Sequence, residues 1–208
     1  METLVTLGRT VGFSFAAGIN LYATVAILGL AARFGWVDLP PQFAVFDNTY
    51  IIAAALVMYV IEFVADKIPW VDSIWDMIHT VIRPIGGALI AVATLGDASP
   101  TVEALIALLG GTIAAGTHMT KAGSRAIVNT SPEPFSNWFL SLAEDAFVVG
   151  LGFVALKYPL LALAVALALL VLIVLFARIL FRAMRRAFTG RASPAARPPV
   201  DGATDTGA

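Results

Sequence analysis

Six long apolar stretches separated by short polar links set the pattern of this chain. They run from about Thr10 to Ala32, Asn48 to Val64, Trp70 to Leu95, Val102 to Thr120, Phe135 to Leu156 and Leu160 to Phe181. Each has roughly the 17–25 residues that cross about 30 Å of hydrocarbon as a helix. Backbone groups in lipid must bond within their own segment, so each stretch is read as helical. The pattern predicts an all-α polytopic membrane bundle of about six transmembrane helices, forming a single domain over residues 1–190. Asn20 lies mid-span in the first stretch, where Gly18 and the preceding alanines permit close helix approach.

The third stretch carries a polar face. On a helix that begins at Pro69, Asp72, Asp76, His79 and Arg83 fall at i, i+4, i+7 and i+11, within an arc of roughly 60°. Pro suits a first helical turn. The fifth stretch repeats the theme. Aligning Pro134 with Pro69 places Asn137 on Asp72, Ser141 on Asp76, Glu144 on His79, Asp145 on Thr80 and Gly152 on Gly87, while Val148 replaces Arg83. The match reads as an internal repeat of two hairpins, the second helix with the third and the fourth with the fifth, although coincidence over so short a run gives the same match. Glu62 and Asp66 end the second stretch, whereas His118, Lys121 and Arg125 end the fourth. Pairing between these acidic and basic ends would partly neutralise both.

Composition supports the membrane reading. The chain is 59% hydrophobic and 13% charged, and its net charge is −1. That balance gives no pull toward nucleic acid. It has no cysteine, which removes disulfides and thiolate chemistry. Positive charge gathers at Lys67, at Lys121 and Arg125, and at Arg182, Arg185, Arg186, Arg191 and Arg197. With six spans these positions share one side, so the positive-inside rule puts both termini in the cytoplasm. The Pro-, Ala- and Gly-rich stretch of residues 191–208 reads as a disordered cytoplasmic tail.

Other chemistries fit these residues less well. Asp72, Asp76 and His79 are suitable ligands for a divalent ion, but the spacing is loose and Lys67 and Arg83 would oppose a cation. The Arg-Pro of Ile82–Pro84 matches one element of lipid phosphatases; the rest of that signature is missing. No nucleophile with a base in reach stands out. No cofactor is expected, and catalysis is not the preferred reading. Gly86-Gly87 and Gly110-Gly111 are read as helix-packing positions.

The runs GINLYAT, ADKIPWVDSIWDMIHTVIRP and HMTKAGSRAIVNTSPEPFSNWFLSLAED together resemble a bacterial integral-membrane family described only as domain of unknown function 4126. The resemblance covers about Thr10 to Arg178. It implies a small polytopic inner-membrane protein and no particular activity.

Ionisable groups inside a membrane face the bundle interior or a wet cavity. The expected function is passage or binding of a small polar or anionic solute, or of protons. The expected cavity is lined by Asn20, Glu62, Asp66, Asp72, Asp76, His79, Arg83, His118, Lys121, Arg125, Asn137, Glu144 and Asp145. The alternatives are an enzyme acting on a lipid or lipid-linked phosphate at the cytoplasmic interface, and an assembly partner in a membrane complex. The expected partners are membrane lipid and a small solute or ion. At 208 residues the chain is small for a lone transporter, which allows for a homodimer.

Overall fold

The computed structural model describes residues 1–130 and 135–189. The alignment anchor Pro134 and the tail of residues 191–208 lie outside the described residues. Seven α-helices follow in order: α1 (Glu2–Ile19), α2 (Leu21–Phe34), α3 (Thr49–Ala65), α4 (Pro69–Leu95), α5 (Pro100–Val128), α6 (Phe135–Lys157) and α7 (Pro159–Thr189). A short 3₁₀ turn, Pro41–Phe46, joins α2 to α3. Among the described residues there is no strand, and the all-α bundle is as the hydrophobic pattern predicts. Residues Met1–Ile173 form one compact unit. From Val174 to Thr189 the chain continues as helix.

Local signals place the helix ends. Asn48 caps α3 by accepting from the Tyr50 and Ile51 amides, and Ser99 caps α5 by accepting from Val102, with Pro100 as the first helical residue. Gly35 and Gly96 take positive φ values of 59° and 81° just past α2 and α4, a region that costs glycine little. Helices α4, α5, α6 and the Pro159–Ile179 part of α7 are long and apolar enough to cross a membrane, while α2 and α3 are shorter apolar helices.

The first apolar stretch differs from the expected single span. The helix stops at Asn20, whose backbone is extended (φ −144°, ψ 100°), and a second helix starts at Leu21. Contacts fix the direction of both arms. Thr10 bonds Thr94, the Ser14 hydroxyl reaches the Gly87 carbonyl, and Arg83 reaches the Gly18 carbonyl, so α1 runs antiparallel to α4. Asn20 meets Asp145, a Cβ on Gly152 would meet Ile27, and one on Gly12 would meet Ala155. Both arms therefore lie along the same, C-terminal half of α6. The 3₁₀ turn that follows α2 returns to the start of α1, where Phe43 packs on Phe13 and under Arg9. The segment enters and leaves at one end of the bundle, with Asn20 at its deepest point. Asn is the residue that permits this: it leaves the helix easily and its side chain caps the next one.

Helices α1, α4 and α5 form the tightest part of the core, and α4 with α5 make the most extensive helix contact. Helix α3 touches α4 sparsely, and α5 touches α6 sparsely. The reason is steric. Gly87 and Gly110 face each other across α4 and α5, and Gly18 of α1 lies against Ala114 and Thr117. Small residues let these three backbones approach closely.

A buried ion-pair core around the Asn20 turn

The polar face of α4 points into the bundle. Asp72, Asp76, His79 and Arg83 are buried, while Ile74, Met77, Ile78, Val81 and Ile85 on the opposite face are exposed. On α6 the buried positions include Asn137, Ser141, Asp145, Val148 and Gly152. The third buried position is thus Asp145, and its neighbour Glu144 sits at the edge with 13% of its side chain exposed. Asn20, Glu62, Asp66, His118, Lys121 and Arg125 are also buried. All thirteen residues singled out in the sequence lie in one polar core, though not all of them touch.

Among the described residues no side chain of the α4 stripe bonds one of the α6 stripe. The Asn20 turn and the cations of α5 lie between them. Arg83, near the midpoint of α4, meets Glu62 at 2.5 Å and Asp76 at 3.5 Å. It also donates to the Gly18 carbonyl at 3.4 Å. A cation at the carbonyl end of α1 complements the helix dipole there. On the other side Asn20 accepts from the Ala23 amide and donates to Asp145 at 3.2 Å. The turn is therefore held by α4 from one side and by α6 from the other. Asn20→Ala removes the cap and leaves Asp145 without this donor. It is expected to lower stability by about 1–2 kcal/mol, read by thermal unfolding in detergent, with Asn20→Ser losing less because its hydroxyl still caps the helix.

One helical turn or more further along lies a second layer. Lys121 bridges Glu62 at 3.4 Å, Asp66 at 3.0 Å and Glu144 at 3.6 Å. Arg125 meets Glu144 at 2.7 Å and Asp66 at 3.1 Å, and donates to the Asn137 side chain at 2.7 Å. The basic end of α5 thus neutralises the acidic end of α3, as the sequence pairing anticipated. Lys121 and Arg125 lie inside α5, which extends to Val128, rather than in a surface link.

The two histidines are fixed in neutral forms by their partners. Arg83 can only donate, so the Nδ1 of His118, 2.7 Å away, is the acceptor, and its Nε2 carries the proton toward the Asp76 carbonyl and the Thr80 hydroxyl. The Nδ1 of His79 lies 2.7 Å from the Trp75 carbonyl and must donate, so its Nε2 accepts from the Tyr22 hydroxyl at 3.0 Å. Three partners went unnoticed in the sequence. Tyr22 lies two residues past Asn20, Thr80 sits one turn before Pro84, and Asn129 reaches Asp72 at 2.7 Å from one turn beyond Arg125. Only the last could have been read, from its i+4 spacing to Arg125.

In the link after α3, Asp66 is opposed by burial but held below its ordinary carboxylate range by Lys121 and then Arg125. Burial lowers Lys67, against the pull of Asp145 and Asp66; its ammonium folds back on Phe63 and reaches Ser141 at 3.3 Å. The sign for Asp66 follows. Its folded value is depressed, so the unfolded chain binds the proton first. Its stabilisation is complete above the ordinary value near 3.8 and fades as pH falls through the lower folded value. The stability gap between the wild type and Asp66→Asn is expected to shrink below about pH 4, read by thermal unfolding over a pH series.

Charge does not balance in this core. Six carboxylates, of Glu62, Asp66, Asp72, Asp76, Glu144 and Asp145, surround three cations, Arg83, Lys121 and Arg125. Counting half-buried Lys67 still leaves a surplus of two carboxylates. One oxygen each of Glu62, Asp66, Asp72, Asp76 and Asp145 has no hydrogen-bond partner among the described residues. Each cation is paired with protein carboxylates, and every nitrogen of Arg125 donates to protein oxygens, while the Nε of Arg83 has no hydrogen-bond partner among the described residues. Among the described residues no group of three or more His, Asp or Glu side chains is placed to hold a metal ion.

These features define an all-α integral membrane protein whose interior is an ion-pair core. The chain belongs to the family of the domain of unknown function (DUF4126), whose family model matches residues 7–179. No curated protein and no solved structure matches it.

Proposed function

We propose that this is a membrane transport protein whose core takes up and releases protons, either alone or coupled to a small polar solute. The observation that carries the reading is the surplus of buried carboxylates around a helix turn deep in the bundle. Burying unpaired charge in low dielectric is costly, and carboxylates escape that cost by binding protons or cations. The cations are already paired with protein carboxylates, which argues against an anionic solute and against a lipid phosphate as substrate. The residues assigned are Asp72, Asp76, Glu144 and Asp145 as proton-binding groups, with Arg83, Lys121 and Arg125 as counter-charges shared with the paired carboxylates Glu62 and Asp66. His79, His118, Asn20 and Asn137 position them. A helix interrupted at depth beside such groups is a recurring arrangement in transporters.

The reading places the protein in a bacterial inner membrane. The α3–α4 link with Lys67 marks the cytoplasmic face. Because the first segment turns back at Asn20, Met1 falls on the opposite face.

The purified protein, reconstituted in vesicles with a pH dye inside, is expected to dissipate an imposed pH gradient. Asp145→Asn and Glu62→Gln should each slow that flux about tenfold or more. Wild-type flux equal to that of empty vesicles, with and without a panel of small polar solutes, would refute the reading.

A further inference from the structure

A groove of about 220 Å³ opens between α4 and α5, lined by Ser73, Asp76, Met77, Thr80, Arg125 and Asn129 among others. It lies at the end of the bundle that holds the start of α4 and the end of α5. A water needs only about 10–15 Å³ of such space and two or more polar partners, so the groove accommodates several. Polar partners are present. Asp76 reaches the groove with 5% of its surface, and its Oδ1 has no hydrogen-bond partner among the described residues. Arg83, at 3.5 Å, is close enough to attract Asp76 but too far to bond it well. Asn129, at the groove rim, donates to Asp72 and its own carbonyl oxygen is unpartnered. The other carboxylates are placed differently. Asp72 is fully buried behind Asn129, Glu62 behind Arg83 and Lys121, and Asp66 behind Lys121 and Arg125. Glu144 and Asp145 are more exposed than Asp76, but Glu144 is held by Arg125 beside a mainly apolar pocket with Phe15, Ile19 and Ile173, and Asp145 is bonded by Asn20.

We propose that Asp76 is the residue through which the buried core exchanges protons with water, and that the α4–α5 groove is the water-filled mouth serving it. The inference rests on the reading of a proton-handling core and names its point of entry. The step is a simple transfer. A hydronium in the groove gives its proton to the exposed edge of the Asp76 carboxylate, an O–H bond forms, water is left behind, and the carboxylate becomes a neutral acid. The groups facing Asp76 make that change consequential. On α4 they are Asp72, His79 and Arg83; on α5, His118, Lys121 and Arg125; on α3, Glu62 and Asp66. Arg83 then loses one of its two counter-ions and rests on Glu62 alone. The same guanidinium holds the Gly18 carbonyl, so the load on Asp76 is felt at the Asn20 turn.

Infrared difference spectra of the full-length protein in lipid, taken between about pH 9 and about pH 4, test this without requiring transport. The carbonyl stretch of a protonated carboxyl is expected to grow on acidification in the wild type, to lose one component in Asp76→Asn, and to keep that component in Asp145→Asn. Ala126→Trp, which adds bulk at the exposed rim of the groove and removes no charged group, should leave the amplitude intact and slow its appearance after a pH jump about tenfold. A wild type that shows no such band, a band unchanged by Asp76→Asn, or a rate unaffected by Ala126→Trp overturns the inference. Proton flux in vesicles with an unchanged Asp76→Asn spectrum would leave the transport reading standing and remove only this entry point.

Discussion

Arg125→Met is expected to destabilise the protein by about 3–5 kcal/mol, among the largest effects of any single substitution. The guanidinium is 1% exposed and its three nitrogens serve Glu144, Asp66 and Asn137. Removing it leaves two carboxylates buried beside one remaining ammonium, Lys121. The loss comes from orphaned charge more than from the bonds themselves, so it is reversible by a second change. Arg125→Met with Glu144→Gln should recover a large part of the deficit, because a neutral pair of similar volume has no charge left to desolvate. Thermal unfolding of the wild type, both single variants and the double variant in one detergent reads the coupling. Strict additivity of the two substitutions would mean that the pair is solvated.

The second large effect concerns packing. A Cβ at Gly110 would sit 2.7 Å from the Gly87 carbonyl oxygen and 2.9 Å from Ser14 Oγ. Both α4 and α1 would have to move. Gly110→Ala is expected to cost about 1–3 kcal/mol, or to prevent folding. Gly116, in the same helix, meets nothing within 4 Å, and Gly116→Ala should be neutral or stabilising by about 0.5–1 kcal/mol. The contrast within one helix separates backbone approach from helix propensity. Equal effects at the two positions would show that α1, α4 and α5 do not meet as described.

Much of this core was legible in the sequence because membrane helices invert the usual rule. On α4 the spacing of Asp72, Asp76, His79 and Arg83 named the buried face directly, since a polar side chain in lipid has nowhere else to go. Pairing of Lys121 and Arg125 with Glu62 and Asp66 followed from the same reasoning. Two things were not legible. Hydropathy treats residues 10–32 as one apolar run, and it has no sign for direction; a turn back at Asn20 leaves the average unchanged. The choice of Asp145 over Glu144 as the buried position was also hidden, because both lie next to each other and the aligned helix ended at an anchor in the link. The sidedness expected from the sequence rests on six straight crossings. It counted Lys121 and Arg125 as loop charges, whereas α5 carries them into the core.

The functional reading depends most on the turn at Asn20, which brings Gly18 to Arg83 and Asn20 to Asp145. Because the chain has no cysteine, single cysteines can be placed at Glu2, in the α4–α5 link at Asp97, and after α5 at Thr130. Labelling of sealed vesicles of uniform orientation with a membrane-impermeant maleimide is the direct test. Positions 2 and 97 should react from the same side, and position 130 only from the other. Position 2 reacting together with position 130 would mean that the first segment crosses straight through, and the core described here would lose its centre.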